Sequence, residues 1–590
     1  MSMLESALQS ILTLSRQGDV DAALKQCAAL LPTNPDHVDL LVLTGKLLLD
    51  KHMYAPAEKV FRRSIRNQPK QCTHYLNLAL ALDGQGLFDQ SLNAIDMALA
   101  LEPQNGLVHF SQGLSLKRAG QLSAALQAYQ KAQTLLPTYT PIYNNMGNVH
   151  VALGQYEEAI ACYQKCVQLK PNDHDALGNW ADACYHLRDF ESSIALNEKS
   201  LALDSGNVKQ LINYANALQK LNRAADALSM YDQALTLNAA HADAWCNRGN
   251  ALRKLQRFDD AHQSFAQATA LKPTMAVAHF NQAILHLLQG HYVDGWALYE
   301  WRWQHPELGL KRRDFQQPFW LGEQDLRGQH IFIWEEQGLG DLIQMMRYVH
   351  VLHQRGARVT LEVPPSLLRI AQTLGPHVEM VVTGQTPTQF DLHCSYMSLP
   401  LALGTTLDTI PAYPAYLFAP EDRKVAWRDV LGLNVPNEGV RVGLAWSGAA
   451  GHNNDHNRSV ALETLKPLLE VTGAQFYSLQ KEYRSADQSY LATLNHRVRD
   501  LSNQLHDFSD TAALIEHMDI VIAVDTSVAH LAAAMGRTVW LIVPSDPDFR
   551  WLLSREDSPW YPSIRLFRKD DVNWLPHLCA ALAGYIAGVL

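Results

Sequence analysis

PTYTPIYNNMGNVHVALGQYEEAIACYQKCVQLK (137–170) is one period of a pattern that fills the first half of the chain. Pro137 opens it, Gly147 follows ten residues on, and Tyr156 precedes a second small residue, Ala159, by three. In steps of 34 residues, prolines recur at Pro35, Pro69, Pro103, Pro171 and Pro273, with Ser205 and Ala239 in the remaining phases. The first small position reads Gly45, Ala79, Gly113, Ala181, Ala215, Gly249 and Ala283 elsewhere, and the second reads Ala57, Ser91, Ala125, Ser193, Ala227, Ala261 and Gly295. The bulky position reads Tyr54, Phe88, Leu122, Phe190, Phe258 and Tyr292, broken only by Ala224. A fixed period of this length marks stacked helix pairs. Small residues let the two helices approach, bulky ones fill the hole beside them, and proline cannot continue the second helix.

These rows resemble the tetratricopeptide (TPR) repeat over about residues 4–309, as nine helix pairs, the last departing from pattern at Arg302. The resemblance implies an α solenoid, a TPR superhelix over 1–309, that binds an acceptor protein. Asn77, Asn145, Asn179, Asn213, Asn247 and Asn281 stand in register on the first helix, with Leu43 and Ser111 breaking the series. Asn148, Asp182, Asn216 and Asn250 follow on the same helix face. In TPR superhelices that face lines the concave groove. A primary amide both donates and accepts, which suits the backbone of an extended peptide. The alternative is that Asn is simply common at these positions of the repeat.

The rest of the composition narrows the function. A chain of 590 residues exceeds one compact core, and 47% hydrophobic against 18% charged residues is a globular balance. The formal charge of −10, with no long basic run, argues against nucleic acid or an anionic membrane as partner. The eight cysteines lack CxxC spacing, which fits reduced thiols; Cys162 and Cys166 read as packing rather than metal ligands. With no leader-like N-terminus and no long apolar run, the reading is a soluble, cytoplasmic protein.

All tryptophans except Trp180 and Trp245 lie from Trp296 onward. The segment DGWALYEWRWQHPELGLKRRDFQQPFW (294–320) mixes aromatics with Arg302, Arg312 and Arg313, and reads as a packed joint rather than a nucleic-acid platform. From about 328 strands and helices alternate: IFIW (331–334), a helix from 342 to about 355, RVTLEV (358–363) and VEMVV (378–382). After a linker from Pro411 to Pro420, a second series begins at VRVGLAW (440–446) and continues through QFYSLQ, TAALIEHM, DIVIAV, VAHLAAAMG and TVWLIV. The alternation predicts two Rossmann-like domains of parallel sheet, 310–420 and 421–590, facing a ligand cleft.

Three loops at strand ends carry the candidate chemistry. Gly338 and Gly340 permit close approach before a helix whose N-terminus favours anions, and Asp341 either caps that helix or faces the cleft. Asp525, Thr526, Ser527 and His530 form a hydroxyl-rich turn suited to a diphosphate, or a plain cap with His530 satisfied locally. Ser447 and Gly448 begin a small-residue loop that ends at Arg458, whose guanidinium would neutralise phosphate. His452, Asp455 and His456 in that loop lack a second cluster to complete a metal shell.

EEQGLGD (335–341), the Arg458–Ser459 pair and DTSVAHLAAAMG (525–536) resemble the heptosyltransferase-like GT-B glycosyltransferases, family 9 and its relatives, over about 328–570. The resemblance implies Asp341 as general base and Arg458 at the phosphate-binding position, where heptosyltransferases usually carry Lys. The family's DSGxxH appears here as DTSVAH, with Ser527 in place of glycine. The reaction so implied is inverting sugar transfer from a nucleotide-sugar donor, needing no metal or other cofactor. A TPR array before such a module also resembles protein O-glycosyltransferases, including bacterial ones that modify flagellin. Two other readings are a lipopolysaccharide or capsule transferase with the repeats as scaffold, and a non-catalytic adaptor that senses a nucleotide.

Overall fold

The computed structural model describes residues 3–433, 439–448, 455–569 and 573–589. Up to Tyr299 the described residues form eighteen α-helices in nine consecutive pairs, for example Thr140–Ala152 with Tyr156–Leu169. From Tyr54–Asn67 onward, wherever the phase holds proline, the second helix ends two residues before it, as Leu122–Leu135 does before Pro137. The turn inside each pair needs one residue in the left-handed region. Gly86, Gly120, Gly154 and Gly290 take it with φ from 73° to 83°, and His52, Arg188, Asn222 and Gln256 take it without glycine's freedom.

The packing differs from the sequence reading in one respect. The bulky row supplies the first residue of each second helix from Tyr54 to Tyr292, but it does not fill the hole beside the glycines of its own pair. A separate aromatic row does. A Cβ on Gly45, Gly113 or Gly147 would lie 2.4 Å from the ring of Phe61, Tyr129 or Tyr163. Those three rings are fully buried, each contributing roughly 1.5–3 kcal/mol. The bulky row instead reaches the following repeat: Tyr54 covers Gly84, and Tyr156 stacks on His186 with ring centroids 4.8 Å apart. One aromatic row therefore closes each pair and the other joins successive pairs.

The chain divides into two compact units, Met1–Ala251 and Leu252–Leu590. The helices Phe258–Leu271, Ala276–Leu288 and Tyr292–Tyr299 keep the repeat register yet fold with the second unit. Trp296 meets Phe549 edge-on at 5.6 Å, and Trp560 Nε1 donates to the Tyr292 hydroxyl at 3.0 Å. Within the same unit, Arg302 and Arg313 of the basic and aromatic segment after 299 turn toward buried carboxylates, whereas Arg312 stays exposed. Arg302 is fully buried and bonds both oxygens of Glu336 at 3.0 Å and the hydroxyls of Ser395 and Ser398. Arg313 takes both oxygens of buried Glu362.

Two parallel sheets come next. The first has the order β3-β2-β1-β4, from β1 (His330–Trp334), β2 (Arg358–Val363), β3 (Val378–Val382) and β4 (Leu392–Ser395). The second has the order β10-β9-β8-β5-β6-β7. Its strands are β5 (Val440–Ala445), β6 (Ala474–Ser478), β7 (Val498–Arg499), β8 (Ile520–Val524), β9 (Val539–Val543) and β10 (Ile564–Arg568). That is the doubly wound order, reversing direction between β5 and β8, and the crevice beyond the strand ends at such a reversal is where ligands bind. The C-terminal helix Trp574–Val589 seals this sheet through Leu578, Leu582 and Ile586. None of the described helices is long and apolar enough to cross a membrane.

The helix expected over 342–355 is broken into Leu339–Met345 and Tyr348–Gln354. The break falls at Arg347, which is fully buried. Its guanidinium donates to the Trp560 carbonyl and lies over the rings of Tyr416, Trp560 and Tyr561. A cation so enclosed is compensated by carbonyls and ring faces rather than by a carboxylate. It ties the first sheet's helix to the 411–420 linker and to the loop before β10.

Candidate active site

A cleft of about 770 Å3 opens at the carboxyl ends of β1, β5 and β8, with Phe280, Ile284 and Tyr299 on its wall. Gly338, Gly340, Asp341, Ser447, Gly448, Arg458, Asp525, Thr526, Ser527 and His530 all line it. The two turns that sequence set 184 residues apart are in contact: a Cβ on Gly340 would lie 3.0 Å from His530 Cδ2. Glycine at 340 is what lets the first turn close on the imidazole.

Asp341 has 22% of its side chain exposed. Its Oδ2 accepts from the Gly338 N–H at 3.0 Å, and its Oδ1 pairs with Arg550. Capping and cleft-facing roles, alternatives from the sequence alone, therefore coexist in one carboxylate. Arg550 was not legible as a site residue. It sits in VPSDPDFRW (543–551), beyond β9, and its guanidinium spans three partners: Asp341, Asp548 at 2.7 Å and Gln344. The signal that could have found it is a charged cluster placed directly after a buried strand in the second sheet. Burial works against the charge of Arg550, but Asp548, Asp341 and Asp525 outweigh it and hold the guanidinium firmly protonated. Burial also pushes the Asp548 carboxyl up, opposed by Arg550 and reinforced by the carboxylate of Asp525.

On the facing side, Thr526 caps the helix Ser527–Ala534, its hydroxyl oxygen 3.5 Å from the Ala529 N–H. His530 is buried, with Nδ1 2.9 Å from the Tyr561 hydroxyl and Nε2 3.4 Å from Asp525 Oδ1. Burial pushes the Asp525 carboxyl up, but the hydrogen bond and charge of His530, with Arg550 beyond, hold it down at about 2. The second sheet's other loop is fixed by Gln480. Its side-chain oxygen accepts from the N–H groups of Trp446 and Ser447, and its amide donates to the Ser447 hydroxyl at 2.9 Å. Ser447 is thus a buried turn residue with part of its hydrogen-bonding capacity already used.

Arg458 reaches across the same loop. Nη1 donates to the Asp525 carbonyl at 3.1 Å and Nε lies 3.5 Å from Asp455 Oδ1. A Cβ on Gly448 would stand 2.2 Å from Arg458 Nη2, so glycine here makes room for the guanidinium. Asp455 also accepts from Ser459 and pairs with Arg484, which commits it to arginine and hydroxyl partners. His452 and the loop 449–454 lie outside the described residues, as does the side chain of His456.

The amide rows are partly engaged with one another. In the first unit Asn179 Nδ2 donates to Asn144, Asn213 Nδ2 to Asp182, and Asn247 Nδ2 to Asn216, at 3.1, 3.4 and 3.0 Å. Asn145 Nδ2 bonds the Pro141 carbonyl of its own helix. The three cross-links couple neighbouring repeats, and the amide oxygens of Asn145 and Asn179 accept from Lys117 and Lys209 at 3.4 and 3.5 Å. Asn281 stands on the helix Ala276–Leu288 of the second unit.

Comparison with known proteins agrees with both halves. The tetratricopeptide repeat profiles match residues 8–71, 76–140, 141–173 and 242–275. The glycosyltransferase family 9 (heptosyltransferase) profile matches residues 489–565, a span that contains Asp525–His530 and Arg550 but not Gly338–Asp341. Protein FlbA of Caulobacter vibrioides is 27% identical over 328 residues, covering 51% of this chain and 54% of FlbA, so the match spans about half of that protein's length. Among solved structures, YrrB, a TPR protein with an unusual peptide-binding site, aligns over 32% of this chain and 98% of its own at 19% identity and a TM-score of 0.29. The Pseudomonas aeruginosa pilF structure aligns over 36% and 96%, at 20% identity and a TM-score of 0.34. The chain carries tetratricopeptide repeats followed by a glycosyltransferase family 9 segment.

Proposed function

We propose that the protein is an inverting glycosyltransferase of GT-B architecture. In this reading it moves a sugar from a nucleotide-sugar donor to a Ser or Thr hydroxyl of an acceptor protein held by the repeats, flagellin being one candidate. The observation that supports it most is the convergence of Asp341 with the Asp525–His530 turn across one cleft, Gly340 lying against His530. A carboxylate and an anion-binding turn at one point are the two halves of a displacement at an anomeric carbon.

The acceptor oxygen attacks the anomeric carbon, and its proton passes to the Asp341 carboxylate. The new carbon–oxygen bond forms on the face opposite the breaking one. The bond to the donor's phosphate oxygen breaks with its electron pair, releasing a nucleoside diphosphate. The backbone at Thr526–Ser527, the imidazole of His530 and the guanidinium of Arg458 would stabilise that departing charge, and the Rossmann-like domains would close to keep water out.

The test is incubation of the purified full chain with radiolabelled nucleotide sugars and a lysate of its own source. A labelled protein band with wild type, absent with Asp341→Asn, is expected. Label entering only lipid or free glycan would sink the protein-acceptor reading, and undiminished labelling by Asp341→Asn would remove that residue as the base.

A further inference from the structure

Every polar atom of the cleft's central guanidinium already has a protein partner. Arg550 offers Nε to Gln344, Nη1 to Asp548 and Nη2 to Asp341, and 8% of its side chain is exposed. Asp548 and Arg550 come from the second sheet's loop, whereas Gln344 and Asp341 belong to the helix that follows β1. The same guanidinium therefore bridges the two sheets' layers at the point where Gly340 meets His530.

Two consequences conflict with the proposed chemistry as the site stands. Both Asp341 oxygens already accept, one from the Gly338 N–H and one from Arg550, so an acceptor hydroxyl must compete with the guanidinium at the cleft-facing oxygen. The cleft lining balances Asp341, Glu482, Asp507, Asp525 and Asp548 against Arg458, Lys481, Arg484 and Arg550, but three of those carboxylates, Asp341, Asp525 and Asp548, act on Arg550 itself. A diphosphate entering beside Arg550 meets these three carboxylates unless the guanidinium is released to it. One exchange removes both conflicts. Guanidinium binds phosphate in the same forked geometry as carboxylate, so its partner can change while its charge stays paired.

We propose that Arg550 exchanges Asp341 for the donor's diphosphate, so that donor binding is what frees Asp341 to act on the acceptor. Arg550 is then a positioning residue for the base and a phosphate ligand in turn. The order of binding is set by this exchange: donor first, acceptor second. Without donor the base stays latched. This inference rests on the reading of the cleft as a nucleotide-sugar site.

The experiment is calorimetric titration of the full chain with ADP, GDP, UDP and CDP. If Asp341 and the diphosphate compete for Arg550, Asp341→Asn tightens binding of the preferred nucleotide by roughly tenfold, the neutral amide being the weaker competitor. Arg550→Gln weakens it roughly ten- to a hundredfold, and Arg550→Lys retains more affinity than Arg550→Gln. In the Arg550→Gln background, Asp341→Asn gives no further gain, because the shared partner is gone. A purely structural role for the pair predicts unchanged or weaker binding in Asp341→Asn, and that result with a binding-competent wild type would overturn the exchange alone. The isosteric Asp341→Asn variant keeps the test decisive if Arg550→Gln fails to fold. Failure of wild type to bind any of the four nucleotides would overturn the nucleotide-site reading and the exchange with it.

Discussion

Gly448→Ala is a one-carbon test of whether Arg458 serves the donor. The new Cβ would stand 2.2 Å from Arg458 Nη2, 2.6 Å from Cζ and 2.7 Å from Nε. Ordinary contact begins near 3.4 Å, so the guanidinium must retreat by about 1.2 Å, which stretches its 3.1 Å bond to the Asp525 carbonyl beyond hydrogen-bond length. The displaced atoms are the end of a long side chain, so the fold loses little, about 1 kcal/mol. The function loses more. A charge-assisted bond to phosphate is worth about 1.5–3 kcal/mol, which raises the donor KM roughly ten- to a hundredfold. Initial-rate kinetics against donor concentration, beside a thermal melt, separate the two effects. Arg458→Ala should give a similar deficit, and the double variant should be no worse than either single one. A donor KM unchanged in Gly448→Ala, with Arg458→Ala also unchanged, would refute the assignment of Arg458 to the donor.

Asp525 sets a pH dependence of stability. Its carboxyl is held at about 2 in the fold against an ordinary value near 3.9, so its contribution of about 2 kcal/mol is complete above pH 4 and lost as the pH falls toward 2. Urea unfolding between pH 5 and pH 2 should show that loss in wild type and a flatter curve in Asp525→Asn. Gly147→Ala places a Cβ 2.4 Å from the fully buried Tyr163 ring and should cost about 1–3 kcal/mol, read as a lowered melting temperature of the whole chain. Joint replacement of Asn145, Asn179, Asn213 and Asn247 by Ala should cut protein labelling several-fold while leaving donor binding intact. Equal loss of both, or of neither, would count against a groove role.

The repeat was legible because its information is local. A 34-residue period is printed in Pro137, Gly147, Tyr156 and Ala159 and in their counterparts, and every step reinforces the same two helices. What the period could not reveal was which aromatic meets which glycine, since Tyr163 lies 16 residues beyond Gly147, inside the second helix, and only the helix geometry brings them together. Most strands were legible as apolar runs, but β4, β7 and β10 were missed. LHCS (392–395) and the two-residue β7 are too short to show a pattern, and IRLFR (564–568) alternates arginine with apolar residues in a way that reads equally as loop. At the site, the turns around Asp341 and Asp525 announce themselves by glycine, hydroxyl and acid after a buried strand. Arg550 does not. The charged cluster after β9 marks only its neighbourhood, because its partners Asp341 and Gln344 lie more than 200 residues away.

Residue 458 has a geometric reason to be arginine. Arg458 makes two contacts in different directions, Nη1 to the Asp525 carbonyl and Nε toward Asp455, with the loop glycine beneath Nη2. A lysine ammonium is a single point and cannot hold both. Lysine at this position would therefore release either the carbonyl after β8 or the Asp455 that also receives Arg484. If Arg458 only neutralises phosphate, Arg458→Lys should leave donor KM and kcat close to wild type. If it also fixes the 455–459 segment against the Asp525 turn, Arg458→Lys should raise the donor KM roughly fivefold or more, with kcat little changed, because the charge persists and its placement does not. The geometry favours the second outcome. A wild-type donor KM in Arg458→Lys would show that the guanidinium's fork has no part in shaping the site.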